Sequence, residues 1–245
     1  MSSAISFQPA NNGLIQLSAT SIRATPTTKS SPDTHINNGD EIKQALKPSF
    51  IFTWPLLSIP AFFVTAYALN FLLDFVRLGD PVIIERIRAS IFGVGHVVGG
   101  LTTLALGPFQ FLAGIRRRVP KVHRWIGRVY MAGIILGGVN TLHVSFTSIC
   151  RPLGQYAFAF LGFIWIGTAA QGMYTIWAGE VLQHRDWMAR NYALTYAAVM
   201  LRWQLPLFIA MGMETEPALT LTGFTSWIPN LLFVEWWIRR RVLIS

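Results

Sequence analysis

Two short stretches share groups able to move protons. The first reads His123-Arg124-Trp125, followed by Arg128 and Tyr130; the second reads His184-Arg185-Asp186-Trp187, followed by Arg190 and Tyr192. With Glu235, they put imidazoles, carboxyls, guanidinium groups and aromatic rings beside apolar segments. A carboxyl in apolar surroundings keeps its proton more readily, whereas basic neighbours favour its ionised form. A protonated acid facing an aromatic cavity suits cation-initiated closure of an isoprenoid chain: the acid starts the carbocation, and ring faces stabilise it. Glu235 has the more apolar flanks (Phe233, Val234, Trp236 and Trp237) and is the first candidate donor. Asp186 then orients His184, or holds the polar head of a substrate with Arg190. The blander alternative is that both acids pair with arginines at a membrane interface.

Other polar residues lie inside apolar stretches, where they are costly. They include His96, His143, Arg202 and Asn230. His96 and His143 fall near one level, and His123 and His184 near the opposite one. Two histidine pairs at opposite faces could ligate two b-type haems. Gly93, Gly95, Gly99 and Gly100 beside His96 would let a flat cofactor, or another helix, approach. A membrane histidine bonded to a neighbouring carbonyl is the alternative. Arg202 is expected to face the bundle interior, with Asn230, Glu235 or Gln171 as partner. The single cysteine, Cys150, excludes an internal disulfide, an iron–sulfur cluster and a cysteine-cage zinc site. The sequence shows no nucleophile elbow, phosphate-binding glycine loop, zinc helix or aspartate-rich diphosphate motif, so no metal is assigned.

The elements that position these residues are membrane helices. Hydrophobic residues make up 52% of the 245 and charged residues only 13%. A soluble domain carries roughly 25% charged residues. The mean hydropathy is +0.44 and the pI about 10.3. The net charge of +9 does not mark a nucleic-acid binder, because the basic residues flank apolar segments and line no soluble face. Residues 1–48, rich in Ser, Thr, Asn and Pro, read as a disordered cytosolic tail. Residues 49–241 read as an all-α, polytopic bundle. Six apolar stretches near 51–76, 89–114, 129–149, 156–179, 192–213 and 219–238 are each long enough to cross a hydrocarbon core of about 30 Å. The two related elements each open a helix rising from the same face, so helices 2–3 and 4–5 resemble parallel repeats.

Orientation follows from Lys and Arg. With the N-terminus inside, fifteen of the twenty basic residues lie inside: four in the tail, six between Arg116 and Arg128, then Arg185, Arg190 and Arg239–Arg241. Arg77, Arg86, Arg88 and Arg151 lie outside, and Arg202 is within a helix. Both termini are therefore expected in the cytosol, with the protein in the endoplasmic reticulum or another endomembrane. The partners expected are the bilayer and a hydrophobic small molecule, with no nucleic acid.

Several motifs recur in order: Gly95-His96; Gly107-Pro108-Phe109-Gln110-Phe111; His123-Arg124-Trp125-x-Gly127-Arg128-x-Tyr130; His184-Arg185-x-Trp187-Met188-x-Arg190-x-Tyr192; and Trp227-x-Pro229-Asn230 before Glu235-Trp236. Together they resemble a widespread family of predicted multi-pass membrane proteins of unknown function. The size and layout are also similar to fungal membrane-bound meroterpenoid cyclases. That second resemblance implies a membrane-embedded isomerase, a protonation-initiated terpene cyclase of secondary metabolism that closes the prenyl chain of a lipid-soluble, often epoxidised substrate and needs no cofactor. Glu235, Asp186, His184 and His123 are then the candidate acid–base groups. Arg124, Arg190, Arg202, Asn230, Tyr130, Tyr192 and Trp187 are the candidate substrate-binding residues. A haem b or quinone-linked electron carrier using His96 and His143 is the second expectation, and a non-catalytic transporter or scaffold the third. The basic asymmetry predicts that protease added outside sealed microsomes will cut the N-terminal tail; full protection of the tail would overturn this orientation.

Overall fold

A computed structural model describes residues 48–73, 81–150 and 152–244. The tail expected over 1–48 therefore lies outside the described residues, apart from Pro48, which opens the first helix. Among the described residues every regular element is a helix. In chain order they are α1 (Pro48–Leu73), α2 (Pro81–Arg88), α3 (Ile91–Gln110), α4 (Ala113–Arg118) and α5 (Pro120–Phe146). These are followed by α6 (Leu153–Trp177), α7 (Val181–Thr195), α8 (Ala197–Ala210), α9 (Thr215–Thr225) and α10 (Ile228–Ile244). Five segments are long and apolar enough to cross a membrane: Trp54–Leu73, Ile91–Gln110, Pro120–Phe146, Leu153–Trp177 and Val181–Ala210. Large apolar side chains such as Phe63, Ile91, Phe160 and Phe163 point outward, as lipid-facing residues do.

The sixth apolar stretch forms two helices instead of one. The ladder breaks between α9 and α10 at Ser226 and Trp227, just before Pro229. Proline has no N–H to give the carbonyl four residues back, which is that of Thr225. Gln204 Nε2 on α8 donates to this carbonyl at 3.3 Å, and the Thr225 hydroxyl donates to Gln204 Oε1 at 2.9 Å. A second break falls at Tyr196, between α7 and α8. There Asn230 Nδ2 donates to the Ala193 carbonyl at 3.3 Å, while also reaching the Ser226 carbonyl at 2.9 Å. Each broken helix thus lends the other an amide side chain where its backbone is deficient, the condition for irregular backbone in a bilayer.

Helices α3 and α5 pack backbone to backbone. A Cβ at Gly99 would fall on the backbone of Gly137 and on the Gly133 carbonyl, and one at Gly137 would meet the Trp165 ring at 3.1 Å. Small residues at a crossing are how membrane helices gain packing without a hydrophobic driving force. The glycines around His96 divide by role. Gly95 faces the Asn140 amide, Gly93 lies under the Ile87 carbonyl of α2, and Gly100 has open space around it. Beyond this crossing, Tyr130, Ile134, Trp165, Ala169, Tyr192, Leu194, Ala197 and Trp227 form the main buried cluster. A second cluster joins α1 to α3 and α8 through Ala61, Val64, Leu104 and Val199. Trp54 Nε1, donating to the Pro108 carbonyl at 3.0 Å, pins α1 near the end of α3.

Gly99→Val should cost about 3 kcal/mol, the upper end for overpacking, and lower the folded yield. Gly100→Ala should stay within about 0.5 kcal/mol of wild type. Thermal unfolding in detergent, followed by size-exclusion fluorescence, separates the two. Equal tolerance at both positions would contradict the close crossing.

Candidate functional site at the basic end of the bundle

The α3–α5 and α6–α7 connections lie on the same side of a membrane if successive spans alternate. They bring the two related elements to one end. Arg116, His184 and Arg124 are all near enough to His123 for their charges to act on it. The elements share a local geometry: Arg128 lies over the Trp125 ring at 5.0 Å, and Arg190 over the Trp187 ring at 4.6 Å. They differ in exposure. Arg124, Trp125 and Arg128 are exposed, whereas Asp186, Trp187 and Arg190 are half-buried.

The end of α3 links the two elements, which explains the Gly-Pro-Phe-Gln-Phe run. Gln110 Nε2 donates to the His123 carbonyl at 3.4 Å. Gly107 lies directly under the Tyr192 ring, and a Cβ there would overlap it. Phe111 meets the same ring at a centroid distance of 5.3 Å. Two polar atoms around this α3 terminus are buried with no hydrogen-bond partner: His123 Nδ1 and the Tyr192 hydroxyl. Buried polar atoms are rarely left so.

His184 has a defined tautomer. Its Nδ1 lies 2.7 Å from the Gly172 carbonyl. A carbonyl only accepts, so Nδ1 carries the hydrogen, and in the neutral ring Nε2 is the lone-pair nitrogen. Glu235 is engaged by Arg190. The guanidinium donates to the carboxylate through both Nε and Nη2, the latter at 3.1 Å. A two-pronged pair of this kind favours the ionised carboxylate and fixes α7 to α10.

Asn191 was not legible as a site residue, yet it organises the buried centre. Its Nδ2 donates to the Trp165 carbonyl at 2.8 Å and to Thr168 Oγ1 at 2.9 Å, and its Oδ1 accepts from the Tyr130 hydroxyl at 2.8 Å. Thr195 Oγ1 donates to the Asn191 carbonyl at 3.0 Å and accepts from Trp165 Nε1 at 2.8 Å. Every hydrogen of the Asn191 amide is used. Tyr130, expected to bind substrate, is therefore a member of this network. Asn230 likewise serves the α7–α8 break. The only signal for Asn191 was its place between Arg190 and Tyr192.

The level of His96 and His143 departs from expectation. His96 Nδ1 lies 2.8 Å from Thr141 Oγ1, whose own hydrogen goes to the Gly137 carbonyl at 2.7 Å. His143 does not face inward with it. It is exposed and stacks on Phe92 at a centroid distance of 4.0 Å. Position 143 lies two residues beyond Thr141, which turns its side chain to the far side of the helix. An apolar groove of about 400 Å³ lies at this level, lined in part by Phe92, Gly95, Leu136 and Asn140. Arg202 also differs from expectation in its partners. It donates from Nη1 to the Ala198 carbonyl at 3.2 Å and lies over the Tyr67 ring of α1 at 5.7 Å, while its Nε is buried with no partner. Gln204, not Arg202, reaches across to α9, and Glu235 is taken by Arg190. Cys150 is buried against Ser148 Oγ at 3.0 Å, and burial pushes its thiol above its ordinary value. Among the described residues no cluster of three or more His, Cys, Asp or Glu is placed to hold a metal.

Comparison with known families gives a class. A family described as "Predicted membrane protein (DUF2306)" matches residues 93–238. That range covers the α3–α5 crossing, the α3 terminus, both histidine elements and the Arg190–Glu235 pair. The chain belongs to this family of membrane proteins. No curated protein and no solved structure matches it.

Asn191→Ala removes three side-chain hydrogen bonds, each worth about 0.6 kcal/mol in a membrane, and leaves the Tyr130 hydroxyl with Thr195 Oγ1 as its remaining partner. A loss of about 2 kcal/mol is expected from unfolding titrations in mixed micelles, with a similar loss for Tyr130→Phe combined with Asn191→Ala. A neutral Asn191→Ala would show that the network does not hold the centre together.

Proposed function

We propose that the chain is a membrane-embedded isomerase of the cyclase type, acting at the basic end of the bundle on a prenylated or epoxidised lipid-soluble substrate. The observation that supports this reading is the pair of unpartnered buried atoms, His123 Nδ1 and the Tyr192 hydroxyl, around the α3 terminus. The polar head of a substrate would complete their hydrogen bonding. Phe111, Tyr192, Tyr196 and Trp187 supply ring faces for a carbocation nearby. In this reading α9 and α10 make a sixth, broken crossing, helix pairs α3–α5 and α6–α7 are repeats, and both termini face the cytosol from an endomembrane.

In this reading the proton roles are divided between Asp186 and His184. Glu235 is held as a carboxylate by Arg190, and the reading gives the donor role to Asp186, the other candidate acid at this end. Asp186 gives its proton to the epoxide oxygen or terminal alkene; the C–O or π bond opens, and the next double bond closes a ring on the cation. His184 Nε2 takes a proton from the carbon beside the final cation, restoring a double bond. One proton enters and one leaves, so the product is an isomer and no oxidant is consumed. Arg190 and Glu235 hold α7 and α10 around the substrate, and Arg124 meets polar groups at the rim.

A second reading is an electron carrier with haem b. The His184 geometry favours it, because an imidazole whose Nδ1–H is bound to a carbonyl presents Nε2 as an oriented ligand. The outer level fits less well, since His143 stacks on Phe92 and does not oppose His96. This reading therefore takes the form of one haem between His123 and His184.

Membranes containing the protein, assayed against prenylated phenols and their epoxides, should yield cyclised isomers. Asp186→Asn should keep the fold and lower turnover by about 10²-fold or more, the scale of positioned acid catalysis. Glu235→Gln should act mainly on stability, through loss of the Arg190 pair. A folded but inactive Glu235→Gln alongside a normal Asp186→Asn would reverse the two roles. Full activity in both would make the mouth a charge cluster only, and a stoichiometric Soret band would favour the haem reading.

A further inference from the structure

The far end of the bundle carries a second polar site, independent of the basic mouth. Three groups from different helices come to similar depths there. Tyr67 is six residues from the end of α1, His96 five from the start of α3 and Arg202 eight from the end of α8. At 1.5 Å per residue these are depths of about 9, 8 and 12 Å. The cluster of Ala61, Val64, Leu104 and Val199 packs the three helices together. Arg202 lies over the Tyr67 ring, and its charge reaches His96.

The hydrogen bonding of the site is complete on one side and open on the other. Thr141 Oγ1 lies 2.7 Å from the Gly137 carbonyl and 2.8 Å from His96 Nδ1; with its hydrogen on the carbonyl it accepts from His96 Nδ1. His96 Nε2 is therefore a hydrogen-bond acceptor. Arg202 has one carbonyl partner, that of Ala198, and a buried Nε–H with none. A fixed positive charge with an unused donor, beside an imidazole acceptor and at membrane depth, matches one chemical group well. A carboxyl group offers an acceptor oxygen, a second oxygen that can donate its hydrogen, and a negative charge when that hydrogen is given up.

We infer that Arg202 and His96 form a binding site for the carboxyl head of a lipophilic acid taken from the bilayer. One carboxyl oxygen accepts from Arg202 Nε, the other faces His96 Nε2, and the alkyl tail remains among the helices or in lipid. Such a ligand supplies the counter-charge that an intramembrane arginine requires. The site is separate from the basic mouth, so it stands whether or not cyclisation occurs there.

The test uses the full chain in neutral lipid nanodiscs, titrated with oleate and, in parallel, with oleyl alcohol and methyl oleate. Oleate should saturate at one molecule per chain, and the two neutral probes should bind at least about tenfold more weakly, the scale of one charge-assisted hydrogen bond. Arg202→Gln should abolish the preference for oleate over the alcohol, and His96→Gln should weaken oleate binding. If Arg202→Gln does not fold, Arg202→Lys serves instead: it keeps the charge but loses the Nε–H, and should weaken oleate binding while retaining some preference for the acid. Equal binding of acid and alcohol by the wild type, or an unchanged preference in the Arg202 variant that folds, would overturn the site.

Discussion

A bilayer offers no water to a backbone group that loses its helical partner. The C-terminal half of this protein is arranged around that constraint. Its helices break at Tyr196 and again at Ser226–Trp227, and both breaks would be costly in lipid. Asn230 serves the first break and Gln204 the second. Because each amide comes from the other broken helix, neither repair exists alone. The Asn191 network obeys the same rule in the centre, where the Trp165 carbonyl and Thr168 take both amide hydrogens of Asn191 and its side-chain oxygen accepts from Tyr130. Positions of the histidines, and the pairing of Arg190 with Glu235, depend on this frame.

The frame leaves one hydroxyl of its own unpartnered, Ser226 Oγ at the α9–α10 break; the other unsatisfied atoms lie outside it. His123 Nδ1, the Tyr192 hydroxyl and Arg202 Nε stand out because polar groups nearby are paired. Two lie around the α3 terminus and one lies toward the opposite end. The molecule thus has two separate polar centres, one rich in base and charge and the other a guanidinium held by the Ala198 carbonyl over the Tyr67 ring. Their ligands would approach from different depths of the bilayer.

The membrane character was legible from composition, and five of the six apolar stretches correspond to spanning helices. The sixth was legible as apolar but not as broken, because a proline marks a missing donor without saying whether a neighbour repairs it. The close α3–α5 crossing was legible at Gly99 but not at Gly100, since glycine reports a possible approach and only the partner helix decides which glycine uses it. The carboxyl environment was misjudged for a similar reason. Apolar flanks in sequence said nothing of Arg190, 45 positions away, which reaches Glu235 through packing of α7 on α10. The inward turn of His96 and the outward turn of His143 depended on helix phase, which a count of depth alone omits. Asn191 carried no signal beyond its motif, because its importance lies in three partners on two other helices.

The reciprocal repair of the two helix breaks also bears on biogenesis. An 11-residue helix such as α9 reaches about 16 Å, little more than half the hydrocarbon thickness. Its broken junction with α10 exposes the Thr225 carbonyl unless α8 is already alongside to cover it. The Ala193 carbonyl in turn waits for Asn230. The hydrogen bonding of α7–α8 and of α9–α10 is therefore completed only when the two segments dock on each other. Until they dock, the Ala193 carbonyl of the α7–α8 segment lacks the donor that Asn230 supplies.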